Sequence, residues 1–152
     1  MQNILSAAKA NLNIDSTRIY AAGFSNGGGF VNLLACTAST APVFAAFATS
    51  SPALYNGTHG LNMATCNSGG HAVALIDFHG IADGQIPYAG RTDLGGDTRY
   101  ALPNIDAWRQ QWAQRAGCGA PAANARMAPS TTTTNYIGQN ACVRMRNCGR
   151  GR

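Results

Sequence analysis

The sequence lacks glutamate altogether and contains a single lysine, so its formal net charge of +5 comes almost entirely from arginine. Four of the arginines stand in the last nine residues, and the others are scattered singly along the chain. This arrangement offers no basic stripe that could follow a phosphate backbone. We therefore expect no nucleic-acid partner. The alternative is that the arginine-rich end alone binds nucleic acid.

Long apolar runs are absent as well. No stretch of about 18 apolar residues occurs, so we expect no membrane partner. The first eleven residues lack the continuous apolar core of a signal peptide. Hydrophobic residues nevertheless make up 45% of the 152 residues, and charged residues only 11%. This composition is typical of one compact globular domain and excludes a highly charged disordered chain.

Closely spaced cysteines, the usual mark of a zinc site, are missing, and we predict no metal. The five cysteines stand at Cys36, Cys66, Cys118, Cys142 and Cys148. Their wide spacing favours disulfides in an oxidising compartment. We expect the pairs Cys36–Cys66 and Cys118–Cys142, although spacing alone does not fix the pairing. The sequence Asn56-Gly57-Thr58 matches the glycosylation pattern and agrees with secretion.

Helical and strand-like periodicities alternate along the chain. The pattern predicts a helix over the first dozen residues, a strand over 18–22, a helix from about 28 to 36, and strands over 43–48 and 73–78. Pro103 opens another predicted helix, with Trp108 and Trp112 packed on its buried face. Residues 131–137 match either a last strand or a linker. Strands alternating with helices predict an α/β fold: a parallel sheet with helices on both faces.

The segment Gly23-Phe24-Ser25-Asn26-Gly27 matches the pattern G-x-S-x-G. This spacing is typical of a sharp strand-to-helix turn that exposes a nucleophilic serine. Glycine is expected at both ends of the pattern because side chains there would clash. The amide of Asn26 is expected to face the oxygen that becomes negative when an ester carbonyl is attacked. Because the pattern lies between a predicted strand and an apolar helix, Ser25 is the predicted nucleophile.

A serine nucleophile needs a base, and an acid that orients the base. In the chain order of α/β-hydrolases the acid follows the serine, and the histidine follows the acid. Asp83, just past the clearest buried strand, is the predicted acid; Asp77 is the weaker candidate because it lies inside that strand. All three histidines, His59, His71 and His79, precede Asp83. We therefore expect neither His59 nor His71 to serve as the base.

Two blocks of the sequence carry a family resemblance. The first runs from Ile14 to Tyr20 and on through the glycines at 27–29, and the second is His79-Gly80-Ile81-Ala82-Asp83 with Ile86-Pro87-Tyr88. On these blocks the chain resembles secreted feruloyl esterases and the related acetyl-xylan esterases and polyhydroxybutyrate depolymerases.

The resemblance implies an α/β-hydrolase fold and an extracellular carboxylic-ester hydrolase that needs no cofactor. Its substrate would be a small or polysaccharide-linked ester of the plant cell wall, such as one attached to xylan, with a feruloyl ester preferred. It also implies Ser25 as nucleophile, Asp83 as triad acid and His79 as a structural residue beside the acid.

The chain departs from this group at both ends. Members of the group begin upstream, with strands and a His-Gly loop that supplies a second oxyanion amide, and they end in a Gly-His turn that carries the base. Here the last residues, 143–152, are rich in arginine instead. We expect a partial α/β-hydrolase domain over 1–142, an atypical tail over 143–152, and a chain that is truncated or altered in reading frame. The alternative is a catalytically incomplete, non-enzymatic fragment.

Overall fold

A computed structural model describes residues 2–56, 65–117, 121–128, 131–136 and 144–148. The last three ranges are strands, described by their backbone pairing. The helices are α1 (Gln2–Asn11), α2 (Asn26–Ala35) and α3 (Ile105–Arg115), with short 3₁₀ turns at Ala41–Val43 and Thr98–Tyr100. The strands are β1 (Tyr20–Phe24), β2 (Ala46–Ser50), β3 (Leu75–Gly80), β4 (Pro121–Ala128), β5 (Thr131–Tyr136) and β6 (Arg144–Cys148).

The six strands form one sheet in the order β1-β2-β3-β6-β5-β4. Strands β1, β2 and β3 are parallel, as the sequence predicted. Strand β6 is parallel to β3, whereas β5 and β4 run antiparallel to their neighbours. The antiparallel pairing of β4 with β5 follows from the length of their connection. Only two residues separate these strands, and so short a connection joins only antiparallel strands. The sheet is therefore mixed, and strands β4 and β6 were not predicted from the sequence.

The core lies on one face of β1, β2 and β3. Parallel register places Ala21, Phe47 and Leu75 side by side, and all three are buried. Helix α2 packs against β1 and β2 on this face. Helix α3 reaches the same face, because its Trp108 and Trp112 are fully buried in the same core cluster. The prediction that these tryptophans are core residues is confirmed.

The opposite face of β1 is exposed in the described part of the chain. Side chains alternate along a strand, so Tyr20 and Phe24 of β1 point away from the core. They are exposed by 62% and 70%. Helices α2 and α3 lie on the same face, so these two do not provide the predicted cover on both faces of the sheet. Periodicity shows that a helix has one apolar stripe, but it does not show which face of the sheet that stripe covers.

Helix α2 and helix α3 are joined by a buried polar residue. The side-chain oxygen of Asn32 accepts hydrogen bonds from the indole nitrogens of Trp108 (3.1 Å) and Trp112 (2.9 Å). Buried indole N–H groups need such acceptors. The disulfide Cys36–Cys66 ties the end of α2 to the loop before β3, as predicted. The second predicted pair, Cys118–Cys142, lies outside the described residues.

Among the described helices, none has the length and apolar character needed to cross a membrane.

Candidate active site

Ser25 alone makes the turn between β1 and α2. Its backbone has φ 53° and ψ −119°, a left-handed conformation that is costly for any residue except glycine. Three hydrogen bonds hold it there: its amide donates to the Ser50 carbonyl (3.0 Å), and its carbonyl accepts from the Gly29 (3.0 Å) and Ala53 (2.9 Å) amides. Helix α2 begins at Asn26, two residues earlier than predicted, because the turn consists of this one residue.

The glycines around the turn do not all serve the same purpose. A Cβ added to Gly23 would lie 2.2 Å from the Gly27 carbonyl oxygen, and one added to Gly28 would lie 2.9 Å from Cα of Pro52. A Cβ on Gly27 would meet nothing within 4 Å. The expectation of a clash at both ends of the pattern is therefore correct for Gly23 and wrong for Gly27. The second tight contact belongs to Gly28, where α2 crosses the loop after β2.

Three polar residues meet at the carboxyl edge of the sheet. Ser25 follows β1, Ser51 follows β2 and Asp83 follows β3, and these strands are neighbours and parallel. In open α/β sheets this edge is where ligands bind. Ser25, Ser51 and Asp83 all line one cavity of about 460 Å³. The structure thus brings the predicted nucleophile and the predicted acid to one site.

Asp83 is held by the loop that follows it. Its Oδ1 accepts hydrogen bonds from the backbone amides of Gln85 and Ile86, each at 2.9 Å. Burial raises the pKa of the carboxyl group, but the Ile86 amide, the Ser51 hydroxyl and the Gln85 amide lower it. The nearby ring of His79 lowers it further. The net result is a pKa below the ordinary value for Asp83, so the group is a carboxylate near neutral pH.

The amide of Asn26 stands at the first position of α2. The first N–H groups of a helix have no acceptor within the helix, and the helix dipole adds positive potential there. These properties suit an oxyanion that forms on an ester bound at Ser25.

His79 lies at the end of β3 and is buried, with 1% of its surface exposed. Its Nε2 lies 2.9 Å from the carbonyl oxygen of Ile86, which can only accept, so Nε2 carries the proton. Nε2 is also 4.0 Å from Oδ2 of Asp83, and the ring packs edge-on against Tyr88. Nδ1 has no hydrogen-bond partner in the described part of the chain. His79 therefore contacts the loop that carries Asp83 and is not among the residues that line the cavity.

Of the other two histidines, the structure describes His71, and it does not lie at this edge. His71 is exposed and precedes β3, a strand of six residues and about 20 Å, whereas Asp83 follows that strand. His71 is thus at the opposite end of the sheet. His59 lies outside the described residues. Within the described ranges, no histidine lines the cavity that holds Ser25.

Asp77, the weaker candidate for the acid, belongs to the core. Its Oδ2 lies 2.6 Å from Nη2 of Arg109, and its Oδ1 accepts from the Thr49 hydroxyl at 2.7 Å. Asp77 and Arg109 are both essentially inaccessible to solvent. This side chain is fully engaged in a buried ion pair and does not line the cavity.

Sequence reasoning gave no role to several residues that line the cavity, among them Ser51, Tyr55 and Arg91. Ser51 has a positive φ of 41°, and Ser25 and Ser51 are the non-glycine residues with positive φ among those described. The pair Ser51-Pro52 directly after a strand was a signal for a tight turn at this edge. Arg91 had no local signal, since a single arginine in a glycine-rich loop matches no motif. The described residues contain no cluster of histidine, cysteine or carboxylate side chains that could hold a metal ion.

Comparison with known proteins gives a distant similarity to fungal esterases. The chain is 29% identical over 140 residues to probable feruloyl esterase C of Aspergillus clavatus, an alignment that covers 89% of this chain and 42% of that protein. It is 33% identical over 94 residues to probable feruloyl esterase C of Aspergillus terreus, covering 62% of this chain and 31% of that protein. No protein-family model matches.

The chain thus spans less than half the length of these two relatives. Their names agree with the resemblance found in the sequence and support a feruloyl esterase-like group. Both are names of carboxylic-ester hydrolases.

Proposed function

We propose that this chain carries the nucleophile and the acid of a serine carboxylic-ester hydrolase, with Ser25 and Asp83 in those roles. The observation that carries the proposal is the shared cavity: a serine in a strained turn at a helix N-terminus, and a carboxylate with a lowered pKa, at one edge of a parallel sheet. The names of the two fungal relatives favour a feruloyl ester as substrate. We propose that this ester is linked to plant cell-wall xylan.

The reaction would take two steps. The hydroxyl oxygen of Ser25 attacks the ester carbonyl, the C–O bond to the alcohol breaks, and the alcohol leaves with the proton from the serine. Water then attacks the acyl-serine, releasing the acid and restoring the hydroxyl. The amide of Asn26 and the positive end of α2 would stabilise the negative oxygen in both steps. The scheme uses no cofactor.

The base is the part of this scheme that the described residues do not supply. We propose that it comes from polypeptide outside the described ranges, in a longer esterase of which residues 1–142 form part of the hydrolase domain and 143–152 an atypical tail. A second oxyanion amide would come from the same source. Secretion is part of the proposal and is supported by the Cys36–Cys66 disulfide.

The test is hydrolysis of methyl ferulate by the purified chain and by its Ser25→Ala variant. We expect Ser25→Ala to remove the activity and to remove labelling by a fluorophosphonate, a reagent that reacts with activated serines. Ser6→Ala is the matched control, since Ser6 is exposed on α1, away from the cavity. Hydrolysis or fluorophosphonate labelling that persists at the same rate in Ser25→Ala would reject Ser25 as the nucleophile.

Two alternatives concern the acyl group. The resemblance seen in the sequence extends to acetyl-xylan esterases and polyhydroxybutyrate depolymerases, which share this kind of nucleophile turn. Acetylated xylan and hydroxybutyrate oligomers therefore belong in the same assay. A higher kcat/KM for either than for methyl ferulate would move the proposal to that substrate.

A non-enzymatic fragment is the second candidate function. It is favoured by one observation, that within the described ranges no histidine lines the cavity. A triad without its base keeps only residual catalysis. Folded protein that fails to hydrolyse all three ester classes, and that fluorophosphonate does not label, would select this candidate.

A further inference from the structure

Arg91 lines the same cavity as Ser25 and Asp83 and is fixed there by its backbone. Its amide donates to the Leu102 carbonyl (3.0 Å), and its carbonyl accepts from the Leu102 amide (2.8 Å). Leu102 itself is only 5% exposed and belongs to the core. The arginine therefore projects from an anchored point of the loop, which holds its side chain at a defined place.

The guanidinium is fixed as well. Its Nε donates to the Tyr100 carbonyl (3.0 Å) and its Nη1 to the Gln85 carbonyl (3.2 Å). The central carbon lies 5.7 Å from the centre of the Tyr55 ring, within the range of a cation–π contact. Tyr55 packs edge-on against Tyr100, with ring centres 5.5 Å apart. A planar cation is thus held in one orientation before any ligand binds.

No ion pair neutralises this cation within the described residues. The exposed arginines Arg18 and Arg99 pair with aspartates at 2.6 and 2.7 Å, and the buried Arg109 pairs with Asp77. Arg91 instead donates to two neutral carbonyls, which occupy two of the five guanidinium N–H groups. Asp83, the carboxylate that lines the cavity, already accepts two backbone amides on Oδ1. The remaining N–H groups and the positive charge are therefore available to a ligand in the cavity.

We infer that Arg91 is a specificity residue that binds an anionic substituent of the substrate. The substrate class is an ester that carries a carboxylate at a distance from the reacting carbonyl, such as the half-ester of a dicarboxylic acid or an ester of an acidic sugar. A guanidinium recognises a carboxylate through two parallel hydrogen bonds, and a fixed one loses less entropy in doing so. The inference rests on the proposed function, because it places the ester at Ser25 and the carboxylate at Arg91.

The test is a binding measurement on the Ser25→Ala protein, so that hydrolysis plays no part. The probes are monomethyl and dimethyl terephthalate, together with monomethyl and dimethyl succinate, titrated by calorimetry or ligand-observed NMR. Each pair differs in one negative charge and has nearly the same shape, and the two pairs cover two spacings. At one spacing at least, the half-ester is expected to bind about tenfold more tightly than the diester, the effect of one charge-assisted hydrogen bond.

Substitutions of Arg91 distinguish the effect of its charge on binding from an effect on folding. Arg91→Gln should abolish the preference for the half-ester, while Arg91→Lys should keep part of it. Arg99→Gln, in the same loop region but outside the cavity, should leave it unchanged. In the Ser25→Ala protein with Arg91 retained, raising the salt from about 50 to 500 mM should reduce the preference for the half-ester, because screening weakens exposed charge pairs. This salt series remains decisive if Arg91→Gln does not fold.

Two results would overturn the inference: equal affinity for half-ester and diester at both spacings, or a preference that survives Arg91→Gln. The outcome is distinct from that of the proposed function. A half-ester preference without hydrolysis of any ester would retain Arg91 as a binding residue and reject the enzyme. Hydrolysis that depends on Ser25, without a preference for the half-ester, would retain the proposed enzyme and reject Arg91 as a specificity residue.

Discussion

Asp77 and Asp83 belong to one strand and the loop that follows it, yet they occupy opposite kinds of environment. Asp77 is inaccessible and shares its charge with Arg109 in the core, whereas Asp83 is half-buried, faces a cavity and is held by backbone amides. The partner makes the difference. A buried ion pair fixes two elements to each other, while a carboxylate held by its own loop keeps an oxygen available to other groups.

The largest effect is expected from breaking the ion pair in the core. Asp77→Asn keeps the shape of the side chain but leaves Arg109 charged and buried, and should lower the free energy of unfolding by about 3–5 kcal/mol. Chemical denaturation of the variant beside the original chain measures this value. Asp77→Leu combined with Arg109→Met removes both charges and should recover most of the loss. A loss below about 1 kcal/mol for Asp77→Asn would mean that the pair does not hold α3 to the sheet.

The next effect concerns the two glycines at the ends of the serine pattern. Gly23→Ala places a methyl group against the Gly27 carbonyl oxygen and should cost about 1–3 kcal/mol or more. Gly27→Ala meets open space within α2 and should stabilise the protein by up to about 1 kcal/mol, because alanine favours the helix. Thermal melts of the two variants provide the comparison. Equal destabilisation by both would contradict the contacts described at the turn.

The smallest effect is expected at Asp83, and it depends on pH. The folded-state pKa of Asp83 is lowered, so ionisation of this group stabilises the fold above its unfolded pKa of about 4. That contribution is lost as the pH falls through the folded pKa. Below about pH 4 the original chain should therefore lose stability more steeply than Asp83→Asn. Denaturation midpoints between pH 7 and pH 2 test this, and parallel curves for the two proteins would contradict it.

Much of the site was predictable from local sequence. The pattern around Ser25 identified the turn, since the close approach of Gly23 to the Gly27 carbonyl requires glycine at position 23. The position of Asp83 after a buried strand identified the cavity-facing aspartate. Trp108 and Trp112 were correctly predicted as core residues from their spacing. The pair Cys36–Cys66 was expected correctly, although spacing left other pairings open.

Other features depend on contacts that are distant in the sequence. Arg91 lines the cavity because Leu102 anchors it and Tyr55 lies beneath its guanidinium, and none of these contacts has a local signature. The need for Gly28 comes from Pro52, which follows a different strand.

The sequence by itself determined the elements with strong local rules: the serine turn, the apolar helix after it, the buried strand before Asp83 and the buried stripe of α3. Tertiary structure alone decided which face α2 and α3 cover, which strands run antiparallel, and which charges meet in the cavity. The physical reason is the distance along the sequence over which each kind of interaction acts. Backbone strain and side-chain periodicity act within a few residues, whereas sheet order and the partners of Asp77, Asp83 and Arg91 are set by packing between distant segments.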